Sequence, residues 1–289
     1  MYPKIIAEVG CNHKGSIDIA EEMIKTASKY CNVDVVKFQK RTVKELYTKE
    51  EFDSPHPVPR NSYGQSYGEH REFLEFNLEE HKYLKALCEE SNIEYSTSVW
   101  DLTAAKQIIG LNPKIIKVPS ACNNNAKMLS YLAENFNGEI HISLGMTKRS
   151  EERSLVKIME KHNRLKDLVL YSCTSGYPVD FNDVCILEIN RLRDHWGSSC
   201  KAIGFSGHHL GIAVDMGAIT LGASYIERHF TLDRTWKGTD HAASLEPDGM
   251  RKLVRDSKAM FNSLTYKREE ILEVEKFQRK KLKRLRYEK

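Results

Sequence analysis

The sequence predicts a closed parallel (β/α)8 barrel, the TIM-barrel class of α/β fold. Three observations point to it. Eight strand-like runs alternate with eight helix-like runs between Lys4 and about Leu264. Each strand-like run begins apolar and turns polar at its C-terminal end, as expected where strand bodies fill a packed interior and strand ends face a shared pocket. The chain has 289 residues, and such a barrel takes roughly 250. An open doubly wound sheet is the competing architecture, but no G-x-G-x-x-G fingerprint accompanies these units, which favours closure.

The strands follow in order. They are Lys4–Gly10, Val33–Gln39, Ile93–Val99, Lys114–Ser120, Glu139–Gly145, Leu168–Gly176, Lys201–His209 and Ser224–Phe230. Ser16 precedes a stretch whose apolar residues Ile17, Ala20, Met23, Ile24 and Ala27 recur at helical spacing, so Ser16 is its expected N-cap. Asp183 precedes VCILEINRL in the same manner. Units repeated this regularly require right-handed crossovers and a parallel sheet. The long connection from about Arg41 to Glu79 holds three prolines and two glycines and is expected to be irregular, a specificity loop or lid.

Composition excludes several classes. The seven cysteines show no C-x-x-C spacing, which suits a reducing, cytoplasmic setting. Met1–Gly10 runs directly into a strand, so no signal peptide is expected, and no apolar run is long enough to span a membrane. Residues 278–289 carry seven basic side chains against one acid, Glu288. That is net +6 against +4 for the whole chain, so the remainder is net −2. The body is therefore no nucleic-acid surface; the basic end is expected to be a solvated helix end, with contact to an anionic partner as the alternative.

If the barrel closes, Glu8, Lys37, Thr97, Lys117, Ser120, Ser143, Ser175, His208 and His229 converge. His208 and His229 end neighbouring late strands and can reach one divalent ion, with His209 and His241 as rivals. Two imidazoles leave coordination positions for water or a substrate oxygen, and they suit manganese, iron, cobalt, nickel or zinc better than magnesium. The alternative is that either ring only hydrogen-bonds in the core. Lys37 and Lys117 sit in otherwise apolar runs, where an ammonium is costly unless it meets an anion. That anion is either a phosphate or carboxylate ligand, or Glu8 or Glu227 in a structural network. The hydroxyls of Thr97, Ser120, Ser143, Ser175 and Ser206 lie at equivalent levels and can donate to phosphate oxygens. Glu8 and Asp240 are acid–base candidates.

Taken together, IIAEVGCNHKGSIDIAEEMI, VDVVKFQK, KVPSACNNN, HISLGMT, YSCTSGYP, IGFSGHHLGIAV and LGASYIERHFTLDRTWKGTDHAASLEP resemble the N-acetylneuraminate (sialic acid) synthase family, in family order. YGEHREFLEF and TWKGTDHAASLEP look more like the branch that makes the 9-phosphate from a 6-phosphorylated mannosamine. The resemblance implies a transferase that condenses phosphoenolpyruvate with the open-chain aldehyde of an N-acylmannosamine or its 6-phosphate, releasing phosphate. It implies a divalent metal, manganese first and magnesium or cobalt otherwise, held by His208 and His229. Lys37, Thr97, Lys117, Ser120, Ser143, Ser175 and Ser206 match the phosphoenolpyruvate pocket. Gln39, Asn61, Tyr177 and Asp240 match the acceptor contacts, and Glu8 matches a proton relay. Neither nucleic acid nor membrane is an implied partner; a homodimer is.

Three departures stand out. Cys122 takes the place of a family carboxylate, with Pro119 replacing a glycine. Leu144 precedes GMT where a small polar residue is common. The expected organisation is a catalytic barrel over 1–265 and a basic linker-like tail over 266–289, without the antifreeze-like domain that family members usually carry. The alternatives to an active synthase are a catalytically altered barrel that binds sugar or phosphate, a synthase for a related 2-keto-3-deoxy sugar acid, or a metal-dependent barrel nuclease. The last needs a basic groove that the body lacks.

Overall fold

The computed structural model describes residues 2–283; Arg284, Arg286, Glu288 and Lys289 of the basic tail lie outside them. Eight parallel strands close in chain order into a barrel: β1 (Lys4–Gly10), β2 (Val35–Lys40), β3 (Glu94–Val99), β4 (Ile115–Val118), β5 (Glu139–Ser143), β6 (Leu168–Cys173), β7 (Ala202–Gly207) and β8 (Tyr225–His229). β8 pairs back onto β1, with Glu8 beside His229. β4 stops short of its expected end because Pro119 has no N–H for the ladder and residues 120–122 turn into a 3-10 helix.

Strand parity decides what each side chain meets. Ile6, Val35, Ile115, Val169, Tyr171 and Tyr225 point inward and fill the lower barrel. Their neighbours Ile5, Ala7, Val36, Phe38, Ile116 and Leu170 point outward into the layer under the helices. Burying each large apolar side chain there contributes ~1.5–3 kcal/mol. Tyr171 reaches the barrel axis because Gly204 opposite has no side chain; a Cβ there would sit 2.6 Å from the Tyr171 ring. The Tyr171 hydroxyl meets His141 Nδ1 at 2.8 Å, and its ring carries the Lys117 ammonium 3.7 Å from the centroid. This aromatic layer therefore supports the polar one above it.

Ser16 caps helix Ile17–Lys25 as expected, its Oγ accepting from Ile19 N, and Ala20, Met23 and Ile24 are buried. Two expectations fail. The helix expected after Asp183 begins only at Glu188, because Asp183 ends a 3-10 turn and Cys185 adopts φ +52°, which interrupts the spiral. The connection after β2 is only partly irregular, from residue 54 to 66. It folds into helices Val43–Leu46, Lys49–Asp53 and Tyr67–Phe73 before the barrel helix Leu78–Glu90. Reciprocal capping boxes start the last three of these: Thr48 with Glu51, Ser66 with Glu69, and Asn77 with Glu80. The excursion reaches across β1 to the loop after β8, where Tyr63 Oη donates to the Lys237 carbonyl.

After the last barrel helix, Pro247–Ser263, helix Glu273–Leu282 buries none of its residues. No helix among the described residues is long and apolar enough to cross a membrane. All seven cysteines are free.

Candidate active site

A cavity of about 280 Å³ opens at the C-terminal ends of the strands. It brings together Glu8, Lys37, Gln39, Lys117, Ser120, Ser143, Ser175, Tyr177, Ser206, His208, His229 and Asp240. Thr97 is not among them. It shares the outward face of β3 with Tyr95 and Val99, and its hydroxyl donates to Tyr95 Oη. Ser98, one residue on, takes the inward place and lines the cavity. Asn61 also stands off the cavity, on the 3-10 turn Pro59–Asn61 of the excursion.

The floor is a buried ion network. Lys37 Nζ lies 2.5 Å from Glu8 Oε2 and 3.7 Å from Glu227 Oε1, and it donates to Ser98 Oγ at 2.6 Å. Lys117 Nζ donates to Glu227 Oε2 at 2.8 Å. Gln39 Nε2 donates to Glu8 Oε1 and Ser206 Oγ to Glu227 Oε1. The lysines thus do pair with Glu8 and Glu227, yet all four line the cavity, so the network is also a surface. The two carboxyls differ. Burial pushes the Glu8 carboxyl up, and Lys37 only partly opposes it. Burial would raise Glu227 too, but Lys117 and Lys37 together hold it well below the usual carboxylate range. Burial pulls the Lys117 ammonium down against the pull of Glu227.

One wall carries hydroxyls at the ends of β4, β5 and β6. Ser120 Oγ accepts from Gly145 N at 2.9 Å. A Cβ on Gly145 would lie 2.4 Å from Ser175 Oγ and 2.9 Å from Ser120 Oγ, so the missing side chain keeps this cradle open. Cys122 lies behind this wall. It is buried, its thiol is pushed up to about 12 by that burial, and its neighbour Ala121 faces the cavity instead.

The adjoining wall carries His208 and His229, whose ring centroids are 5.4 Å apart. Tyr177 packs against both, at 4.4 and 5.8 Å. His208 Nδ1 donates to the Thr174 carbonyl at 2.9 Å, which leaves Nε2 as the nitrogen with a lone pair. His229 Nδ1 is buried without a hydrogen-bond partner, and Asp240 Oδ2 is 3.9 Å away. Burial pulls the His229 imidazole down to about 4 against the opposing pull of Asp240. Burial would raise Asp240, but His229 and Arg71 keep it below its ordinary value. An orphaned imidazole nitrogen beside a second imidazole and a carboxylate fits a divalent cation. Among the described residues no three His, Cys, Asp or Glu side chains form a complete cage. The rivals are accounted for elsewhere: His209 binds Arg228 at 3.0 Å, and His241 Nδ1 meets Thr231 Oγ1 at 2.8 Å.

Sequence reasoning missed Ser98, Arg41, Arg71, Trp100 and Cys173 in the lining. Arg41 stacks on Trp100 at 4.0 Å and pairs with Glu75 at 2.8 Å. Arg71 comes from helix Tyr67–Phe73 of the excursion. The Ser66–Glu69 capping box signals that helix in the sequence, but not that Arg71 reaches the cavity.

Residues 23–269 match the NeuB family. The chain is 37% identical over 249 residues to the N-acetylneuraminate-9-phosphate synthase of Drosophila melanogaster, covering 86% of this chain and 65% of that one. It is 32% identical over 250 residues to the N,N'-diacetyllegionaminic acid synthase of Campylobacter jejuni, covering 86% and 73%. The crystal structure of the N-acetylneuraminic acid synthetase of Leptospira borgpetersenii in complex with citrate superposes with a TM-score of 0.81 at 26% identity, covering 98% and 93%. The chain thus spans just under two thirds of the length of the Drosophila relative.

Proposed function

This chain belongs to the NeuB family, and from that premise we propose that it is a nonulosonic acid synthase of the sialic acid type. It condenses phosphoenolpyruvate with an N-acylmannosamine or its 6-phosphate and releases phosphate. The observation that carries the proposal is one cavity with two unlike walls, hydroxyls and imidazoles, over a floor of two buried lysines. An enol phosphate needs the first wall and an aldehyde acceptor needs the second.

Phosphoenolpyruvate lies over Lys37 and Lys117, its phosphate in the cradle of Ser120, Ser143 and Ser175. Tyr177, Gln39 and Asp240 orient the open-chain acceptor. Carbon 3 of the enol bonds to the aldehyde carbon, and the aldehyde oxygen takes a proton to become a hydroxyl. Water adds at carbon 2 and gives up one proton; the C–O bond to phosphate then breaks, phosphate leaving with the bonding electrons and taking the remaining hydroxyl proton, which leaves the keto acid. Glu8 gives the proton that the aldehyde oxygen takes and recovers one from the water, because its carboxyl is the one lining the site whose proton affinity burial raises on balance. His208 and His229 would hold the divalent metal, manganese first, which supplies Lewis acidity to the acceptor carbonyl. Seven free cysteines suit a cytoplasmic setting.

The test is phosphate release from phosphoenolpyruvate across a panel of aldoses, with and without Mn²⁺. We expect release that requires both an acceptor and the metal. Release without any aldose would identify a phosphatase and sink the proposal. Gly145→Ala should raise KM for phosphoenolpyruvate by about 10- to 100-fold, since its methyl group would press on the hydroxyls of Ser120 and Ser175. A rise confined to the acceptor's KM would assign the serines to the other substrate.

A further inference from the structure

Lys37 and Lys117 are both buried on the cavity floor, but they are not held alike. Lys37 has three partners, Glu8, Ser98 and Glu227. Among the described residues Lys117 makes one hydrogen bond, to Glu227 Oε2. Its second neighbour is not a polar atom but the face of Tyr171, with 3.7 Å from the ammonium to the ring centroid. A cation over an aromatic face is attracted by the ring's quadrupole, most strongly where water is excluded. Both side chains are buried here. The inward residues Ile6, Val35, Ile115 and Val169 of the same lower layer are aliphatic and offer a cation nothing.

The phenol is itself held from below. Tyr171 Oη lies 2.8 Å from His141 Nδ1, His141 Nε2 lies 3.1 Å from Glu139 Oε2, and Tyr225 Oη donates to the same Glu139 oxygen at 2.7 Å. Charge sets the direction of each bond. Burial would raise the Glu139 carboxyl, but the bonds from His141 and Tyr225 hold it at about 2. Burial pulls the His141 imidazole down to about 4 against the pull of Glu139. At neutral pH an anionic Glu139 can only accept, so Nε2 of a neutral His141 donates to it, Nδ1 accepts, and Tyr171 Oη donates. Electron density from the carboxylate is thus passed through the imidazole and the phenol oxygen to the ring beneath Lys117. We propose that Tyr171, braced by His141 and Glu139, is a positioning residue that holds the Lys117 ammonium toward the cavity, ready for an anionic substrate. The inference rests on the reading of Lys117 as a phosphoenolpyruvate contact. It goes beyond that reading by placing part of the contact's support outside the cavity, on the barrel axis.

The test reads phosphoenolpyruvate binding by calorimetry, without acceptor, beside the KM of each substrate. Tyr171→Leu removes the ring and should weaken phosphoenolpyruvate binding about 10- to 30-fold, the worth of one desolvated cation–π contact, while the acceptor's KM moves little. Tyr171→Phe keeps the ring and should hold that affinity within about threefold of wild type, although it strands His141 Nδ1 and lowers the unfolding temperature. A residue that only filled the barrel would shift the unfolding temperature in both variants and leave phosphoenolpyruvate binding alone. That result overturns the proposal, as does a phenylalanine variant that binds as weakly as the leucine one. Tyr171→Met repeats the loss of the ring with an unbranched chain should the leucine variant fail to fold. If wild type binds no phosphoenolpyruvate, the synthase reading falls, and the role of Tyr171 is decided on the ligand-free protein by nuclear magnetic resonance of the lysine side chains. Besides Tyr171, the charged and titratable groups facing Lys117 are Glu227, Lys37, Cys173 and His141, and none of the variants replaces them. An ammonium deprived of the ring gives up its proton more readily, so Lys117 should titrate at lower pH in Tyr171→Leu than in wild type. A titration that does not move would overturn the role.

Discussion

Lys117→Ala is expected to raise KM for phosphoenolpyruvate by about 100-fold while moving the acceptor's KM far less. An ammonium hydrogen-bonded to a charged ligand is worth about 1.5–3 kcal/mol. The substitution also strands Glu227. That carboxylate is 7% exposed, and its remaining cation, Lys37, is 3.7 Å away and already engaged with Glu8. Removing one partner of a buried pair costs about 3–5 kcal/mol, so the unfolding temperature should fall too. The two effects separate in Lys117→Met combined with Glu227→Gln. Replacing both charges with groups of similar volume should recover most of the stability but none of the phosphoenolpyruvate affinity. Thermal unfolding and steady-state kinetics on the two variants decide it. If only the acceptor's KM rises in Lys117→Ala, the two substrates have been assigned to the wrong parts of the cavity.

The second large effect concerns the imidazoles. His229→Ala should abolish stimulation by divalent metal and lower kcat/KM about 10³-fold, since carbonyl polarisation supplies several kcal/mol. His208→Ala should do the same. The double variant should be little worse than either single one, because groups that hold one ion fail together. Mn²⁺ binding followed by electron paramagnetic resonance gives a readout apart from turnover. Variants that keep both metal binding and metal-dependent activity would remove these histidines from the metal site.

Much of this was legible in the chain because a barrel converts period-2 alternation into a shared pocket. Glu8, Lys37 and Lys117 each stand alone as a charge in an apolar run, so their direction was unambiguous. β3 gave no such contrast, since Ser96, Thr97 and Ser98 are three hydroxyls in a row. Parity could still have been taken from Tyr95 and Val99, whose apolar face Thr97 shares. Asn61 was placed by resemblance across an excursion whose path depends on tertiary contacts such as Tyr63 with Lys237. Arg71 was illegible for the same reason: helical spacing shows that its helix exists, not what the helix overhangs. Asp183 misled because a good capping residue was followed by Cys185 in the left-handed region, which local propensity does not foretell for cysteine.

Glu227 is gripped by both floor lysines, while the nearby Glu8 has an affinity for hydrogen ions that burial has strengthened. At rest, then, this cluster has little charge to spare. A multiply negative guest settling there would add to the burial that already favours the protonated carboxyl at Glu8. On the proposed function, capture of an enol phosphate is therefore expected to draw a hydrogen ion in with it.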